Sequence, residues 1–106
     1  MAGAGSDSEG VTRVPIGSEV NSVGTTTYNG VQCNQYTMKI SSANGQAQTG
    51  VSLSAPANVF LSRTTVDVPQ TGYAEVTVYV SVAVTGTVNV TASETGHSDT
   101  ALPVQA

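Results

Sequence analysis

One histidine lies between two acids in a polar stretch near the C-terminal end of the chain. His97 comes after Glu94 and shortly before Asp99. An imidazole beside carboxylates can bind a metal ion or act as a general base. His97 is, however, the only histidine of the chain, and no serine flanked by glycines offers a nucleophile. We therefore predict a solvated loop here, with no catalytic residue, no metal ligand and no cofactor.

Two further sets of side chains could carry chemistry. A lysine amine can form an isopeptide bond with an asparagine when a buried acid assists, and Lys39, Asn89 and Glu75 have these residue types. Lys39 lies on the polar side of an alternating segment, where an exposed amine stays protonated and unreactive. Asp7 and Glu9 lack the spaced oxygen ligands that a calcium loop needs. The sequence therefore predicts a protein that is not an enzyme.

Composition limits the size and the partners of the protein. The chain has 106 residues, which corresponds to a single domain. Only 9% of its residues are charged, against about 25% in a typical globular domain. With three Lys and Arg residues and a net charge of -4, it lacks the basic patch that nucleic acid requires. We also predict no secretory signal and no membrane-spanning segment, because no long apolar run occurs.

Apolar and polar residues alternate along most of the chain after residue 30. The strongest pattern begins at Ala74 and places an apolar residue at every second position to Val84. Such alternation is typical of a strand with one buried face. Shorter patterns over residues 36–40, 51–53, 64–68, 88–92 and 100–104 are separated by turns rich in Gly, Asn and Pro. We therefore predict an all-β sandwich of two antiparallel sheets with about seven strands.

The N-terminal part has a different composition. Residues 1–10 are mostly Gly, Ala, Ser and acids, which is typical of a flexible segment, and residues 24–30 indicate a loop. We therefore predict a flexible arm or docking segment over residues 1–30 and a sandwich over residues 31–106. The candidate docking residues of this arm are Val11, Arg13, Val14 and Ile16.

Three tyrosines are candidate surface contacts. Tyr73 and Tyr79 alternate with the valines of residues 74–84, and Tyr28 precedes the first predicted strand. Exposed aromatic residues often anchor interfaces, although tyrosines in strands also cover their cross-strand neighbours. Both interpretations stay open. Cys33 is the only cysteine, which excludes an intramolecular disulfide. We expect it to be buried, with a contact between subunits as the alternative.

Three segments resemble bacterial immunoglobulin-like domains of the invasin and intimin type. Residues 41–54, SSANGQAQTGVSLS, resemble the family segment D-x-x-G-x-P-V-x-G-V-x-V. Residues 71–78, TGYAEVTV, are similar to its G-x-A-x-V-T-L strand, and residues 86–92, GTVNVTA, to its closing G-x-V-T-V-T-A. The order and spacing agree from Tyr36 to Ala92, while Ala47 stands where the family has proline.

This resemblance implies an immunoglobulin-like sandwich that serves as a spacer or binding module. Such domains occur in bacterial adhesins, usually as tandem repeats, and also on phage virions. Because this sequence holds one copy, we interpret it as a virion protein, either a capsid decoration or tail-associated. It would dock through its N-terminal arm on a major capsid or tail protein, in a homo-oligomer or other repeating assembly. The alternative is a bacterial cell-surface adhesin module that binds host or cell-surface protein or glycan, with weak binding to the glycan.

Overall fold

The computed structural model describes residues 12–106, which form eight β-strands and no helix. Strands β1 to β4 are Ile16–Tyr28, Val31–Ser42, Gln48–Ser54 and Val59–Leu61. Strands β5 to β8 are Thr65–Val68, Ala74–Ser81, Thr87–Ser93 and Thr100–Gln105. Among these residues, nothing has the length and hydropathy of a membrane-crossing helix.

The strands pair into two antiparallel sheets of four strands each. The first sheet has the order β1-β2-β6-β4 and the second has the order β5-β3-β7-β8. These orders match those of immunoglobulin-like sandwiches, in which strands A, B, E and D face strands C, F and G. Strand β5 is an additional edge strand beside β3. The predicted all-β two-sheet sandwich is confirmed, with eight strands instead of about seven.

Alternation explains how the core forms. In β6 the side chains of Val76, Val78 and Val80 are buried, whereas those between them lie on the outer face. Strand β2 pairs with β6 and adds Met38 and Ile40, both fully buried. The second sheet closes the core from the other side with valines and leucines of β3, β5, β7 and β8. Each such side chain stabilises the fold by about 1.5–3 kcal/mol relative to exposure.

The alternation of residues 74–84 continues beyond the end of strand β6. Ser81 ends the strand, because its carbonyl oxygen accepts a hydrogen bond from the Val84 amide and its Oγ accepts one from the Ala83 amide. The chain turns there, and Val82 is left exposed. Alternation predicts which side of a strand is apolar, but it does not reveal a turn formed by a side-chain hydrogen bond.

The structure differs from the predicted boundary at residue 30. Strand β1 pairs with β2 from Ile16 opposite Ser42 to Tyr28 opposite Val31, with a bulge near Val23. Residues 25–27, three threonines that we interpreted as loop, are part of this strand because β-branched side chains suit a paired sheet. Residues 16–28 therefore belong to the sandwich. The predicted flexible segment over residues 1–10 and Val11 lie outside the described residues.

Candidate functional site

Two of the four predicted docking residues are part of the core. Val14 is 1% exposed and Ile16 is 7% exposed, and both pack in the hydrophobic cluster between the sheets. This burial corrects the docking prediction for Val14 and Ile16, because their side chains have no surface left for a partner. Arg13 is exposed, and its Nη1 donates a hydrogen bond to the Asp99 carbonyl oxygen at 3.0 Å. Val11 lies outside the described residues.

Main-chain hydrogen bonds fasten residues 12–14 beside the start of β8. Arg13 pairs with Ser98 in a short parallel bridge. The Val14 amide donates to the Ser98 carbonyl oxygen, and the Ser98 amide donates to the Thr12 carbonyl oxygen, both at 3.0 Å. The Thr100 hydroxyl adds a hydrogen bond of 2.7 Å to the Val14 carbonyl oxygen. The segment therefore extends the second sheet before the chain crosses to β1.

His97 contacts this N-terminal segment. Its Nδ1 lies 3.3 Å from both the carbonyl oxygen and the Oγ1 of Thr12, and its Nε2 lies 3.5 Å from the Glu94 Oε1. The loop of residues 94–99 thus holds the N-terminal segment, residues 12–14, against the start of β8. Within residues 12–106 no three His, Cys, Asp or Glu side chains come close enough to hold a metal ion. The geometry of this loop is that of a structural contact.

Lys39 lies in the middle of a charged row on the first sheet. Its cross-strand neighbours are Glu19 on β1 and Glu75 on β6. Its ammonium Nζ lies 4.9 Å from the centre of the Tyr73 ring, which is a cation–π distance. Asn89 belongs to β7 in the other sheet. The structure therefore does not bring together the three side chains that an isopeptide bond would need.

Three aromatic rings stack on the outer face of the first sheet, and we call them the aromatic stack. The Tyr28 ring lies 4.3 Å from the Tyr79 ring and 5.4 Å from the Phe60 ring, measured between ring centres. Both pairs are close to parallel, with interplanar angles of 20° and 29°. All three side chains are half-buried. Tyr73 stands apart from them and is 50% exposed.

The sequence predicted two of the three residues of the aromatic stack. Tyr28 and Tyr79 were candidates, and the outward position of Tyr79 follows from alternation. Phe60 was not among the candidates, and it belongs to β4 and pairs with Tyr79. Only this long-range pairing places it on the outer face, and no local signal in the three-residue strand reveals it.

The outer face of the first sheet is a broad, nearly uncharged surface. The charged row Glu19, Lys39 and Glu75 crosses one end, and the aromatic stack lies toward the other. Thr37 and Thr77 lie between these two ends, and Gln35 lies directly opposite Tyr79. Four strands at a spacing of about 4.8 Å make the face roughly 15–20 Å wide. Such a face can bind a flat protein surface through its rings, amides and hydroxyl groups.

The outer face of the second sheet has a different chemistry. Its central strands β3 and β7 present small polar side chains, and β5 adds one acid. The outward residues of these three strands include Ser52, Ser54, Asp67, Asn89, Thr91 and Ser93. Among the described residues, the aromatic side chains on the outer sheet faces, those of Tyr28, Phe60 and Tyr79, therefore all lie on the first sheet.

Cys33 is fully buried, as expected from the sequence. Its neighbours across the sheet are Thr26 on β1 and Ser81 on β6. Because none of its surface is exposed, the alternative of a contact between subunits through the Cys33 thiol is not compatible with this fold.

The comparisons with known proteins give no relative from which a function could be transferred. No family model, no curated protein and no solved structure matches this chain. The resemblance to bacterial immunoglobulin-like domains therefore stays a prediction from three sequence segments.

Proposed function

We propose that this chain is a non-enzymatic structural protein that docks on a larger protein assembly through the outer face of its first sheet. The second sheet would then face outward. The assembly that the sequence resemblance favours is a phage virion, in which the partner is a major capsid or tail protein. The observation that carries the proposal is the aromatic stack of Tyr28, Phe60 and Tyr79 on a broad, weakly charged sheet face.

Physical chemistry supports this choice of face. Tyrosine and phenylalanine are enriched in the central parts of protein interfaces, where charged residues are depleted. A partner that covers Thr37 and Thr77 would desolvate hydroxyl groups instead of ions, which costs much less. The charged row at Lys39 lies at one end, where interfaces usually carry their polar rim.

The face replaces the N-terminal arm as the main docking element. Residues 12–16 are tied to Ser98 and Thr100 and buried in the core, so they stabilise the sandwich itself. A docking segment that includes Val14 would have to leave the core before it could bind a partner, which opposes binding. The outer face needs no such rearrangement.

Two matched arginine variants test the docking face. Thr37 lies at the centre of the first sheet and Thr91 at the centre of the second, and both are half-buried on outer faces. We expect Thr37→Arg to lower the occupancy of the chain on its assembly at least tenfold, because a charge would be buried against the partner. Thr91→Arg is expected to leave the occupancy unchanged.

The readout is the ratio of this chain to the major structural protein in purified particles, measured by quantitative mass spectrometry. Thermal unfolding of both variants provides the control for folding. Equal occupancy of Thr37→Arg and Thr91→Arg would show that the first sheet is not the docking face. If Thr91→Arg lowered the occupancy and Thr37→Arg did not, docking would be assigned to the second sheet.

A further inference from the structure

The four sheet edges of this fold differ in how well they are protected. Strand β4 has three residues and β5 has four, so neither offers a long row of free backbone groups. Strand β8 contains Pro103, which has no amide hydrogen to donate. Strand β1, in contrast, has 13 residues, and within the described chain only β2 pairs with it.

Strand β1 also lacks the side chains that usually block an edge. It contains no proline and no lysine, and Glu19 is its only charged residue. Val23, at the bulge, is 57% exposed and is the most exposed large apolar side chain among the described residues. Val20 lines an open cleft of about 390 Å³ between β1 and β8. Within residues 12–106, this edge therefore has unpaired backbone groups and partly uncovered apolar side chains.

We propose that β1 is a self-association site that pairs antiparallel with β1 of a second copy of this chain. The twofold axis passes through Val20, so that Val20 faces Val20 of the second copy. Glu19 then lies opposite Asn21 of the second copy, and Ser18 lies opposite Ser22. The two first sheets join into one sheet of eight strands.

Charge favours this register over the neighbouring one centred on Glu19. Pairing about Glu19 would place two carboxylates directly opposite each other, which is destabilising. A shift of one residue to Val20 instead gives each Glu19 carboxylate an asparagine amide that can donate a hydrogen bond. The shift also places Gly17 opposite the exposed Val23 of the second copy. Gly17 has open space where a Cβ would lie, so it leaves room for this side chain.

The cleft supports the same axis. Val20 and Tyr36 contribute apolar lining, and Ser18, Ser22 and Gln105 contribute polar lining. Pairing about Val20 brings two copies of this cleft side by side, and each Val20 covers apolar surface of the other. The inference does not depend on the proposed function, because the pairing would occur in the isolated chain as well as in an assembly.

Two substitutions at one position test this pairing with opposite expected signs. Asn21 lies on the outer face of β1, where its side chain contributes nothing to the core. Asn21→Glu would place two carboxylate pairs across the dimer axis and is expected to raise the dimer dissociation constant about tenfold. Asn21→Lys would create two opposite-charge pairs with Glu19 and is expected to lower it several-fold.

The dissociation constants are measured by sedimentation equilibrium on the full chain, with thermal unfolding as the control for folding. Asn89→Glu, on the outer face of β7, is the matched control and is expected to behave as the unchanged protein. Opposite shifts for the two Asn21 variants support the pairing. An unchanged protein that stays monomeric up to about 1 mM, or Asn21 variants that shift together or not at all, would overturn it.

Discussion

Replacement of Val14 by aspartate is expected to lower the free energy of unfolding by about 4 kcal/mol. Val14 is 1% exposed and lies in the core, so the new carboxyl group would be buried among valines without a partner. Burial of an unpaired polar group and loss of apolar packing act in the same direction. This cost is a large part of the total stability of a domain of this size. The measurement is chemical denaturation monitored by circular dichroism.

Val14→Ala provides a milder form of the same test. It removes two methyl groups, keeps the backbone hydrogen bond to Ser98 and is expected to cost about 2 kcal/mol. The matched control is Val82→Asp, because Val82 is exposed and its substitution is expected to change stability by less than about 0.5 kcal/mol. If Val14→Asp and Val82→Asp lowered the stability equally little, Val14 would not be part of the core.

Replacement of Tyr28 by alanine is expected to lower the free energy of unfolding by about 2 kcal/mol. The Tyr28 ring stacks on both Tyr79 and Phe60. Each aromatic pair contributes about 0.5–1.5 kcal/mol beyond the area that it buries, and both are lost together. Thermal or chemical unfolding measures the change. Tyr28→Phe, which keeps the ring and loses only the hydroxyl group, is expected to retain most of the stability.

Tyr73→Ala is the control for the stack. Tyr73 is half-exposed, and among the described residues its ring makes a cation–π contact with the Lys39 ammonium. An exposed cation–π contact is worth about 0.5–1 kcal/mol, so this variant should lose less than about 1 kcal/mol. Equal losses for Tyr28→Ala and Tyr73→Ala would mean that the three rings do not act as a unit.

The fold could be predicted from the sequence wherever apolar and polar residues alternate over many positions. The valines of β6 and the Tyr36, Met38 and Ile40 series of β2 indicate which face is buried, and the sandwich follows from them. Strand β1 was missed because its Gly, Ser and Thr residues have the composition of a loop. It forms a strand because β2 offers a paired edge over twelve residue pairs, which is a tertiary effect.

The candidate site could be predicted only in part. Alternation placed Tyr79 on an outer face, because the parity of a strand is a local property. It could not show that the rings of Tyr28 and Phe60, from strands at opposite edges of the sheet, stack on each other. The docking prediction for Val14 and Ile16 was wrong for a similar reason. Apolar residues in a short polar segment look exposed until the surface that covers them is known.

The low charge of the chain has a structural location. On the first sheet, the charged residues Glu19, Lys39 and Glu75 form one row, which leaves most of the outer face without charge and gives the edge strand β1 a single charged residue, Glu19. A partner can therefore cover most of this face without desolvating ions, whereas pairing along the β1 edge has to accommodate the Glu19 carboxylate. The two proposals therefore use different surfaces of the same weakly charged sheet, and one can hold without the other.

The most direct test of the proposed structural role is to measure in which fraction of the culture the chain accumulates. We would fractionate a culture of the strain that carries the gene into purified virus particles, cell envelope and cytoplasm, and quantify the chain in each by mass spectrometry. We predict that it copurifies with the particles at a fixed ratio to a major capsid or tail protein. Recovery in the cell envelope, with none on particles, would contradict this and would favour the adhesin module.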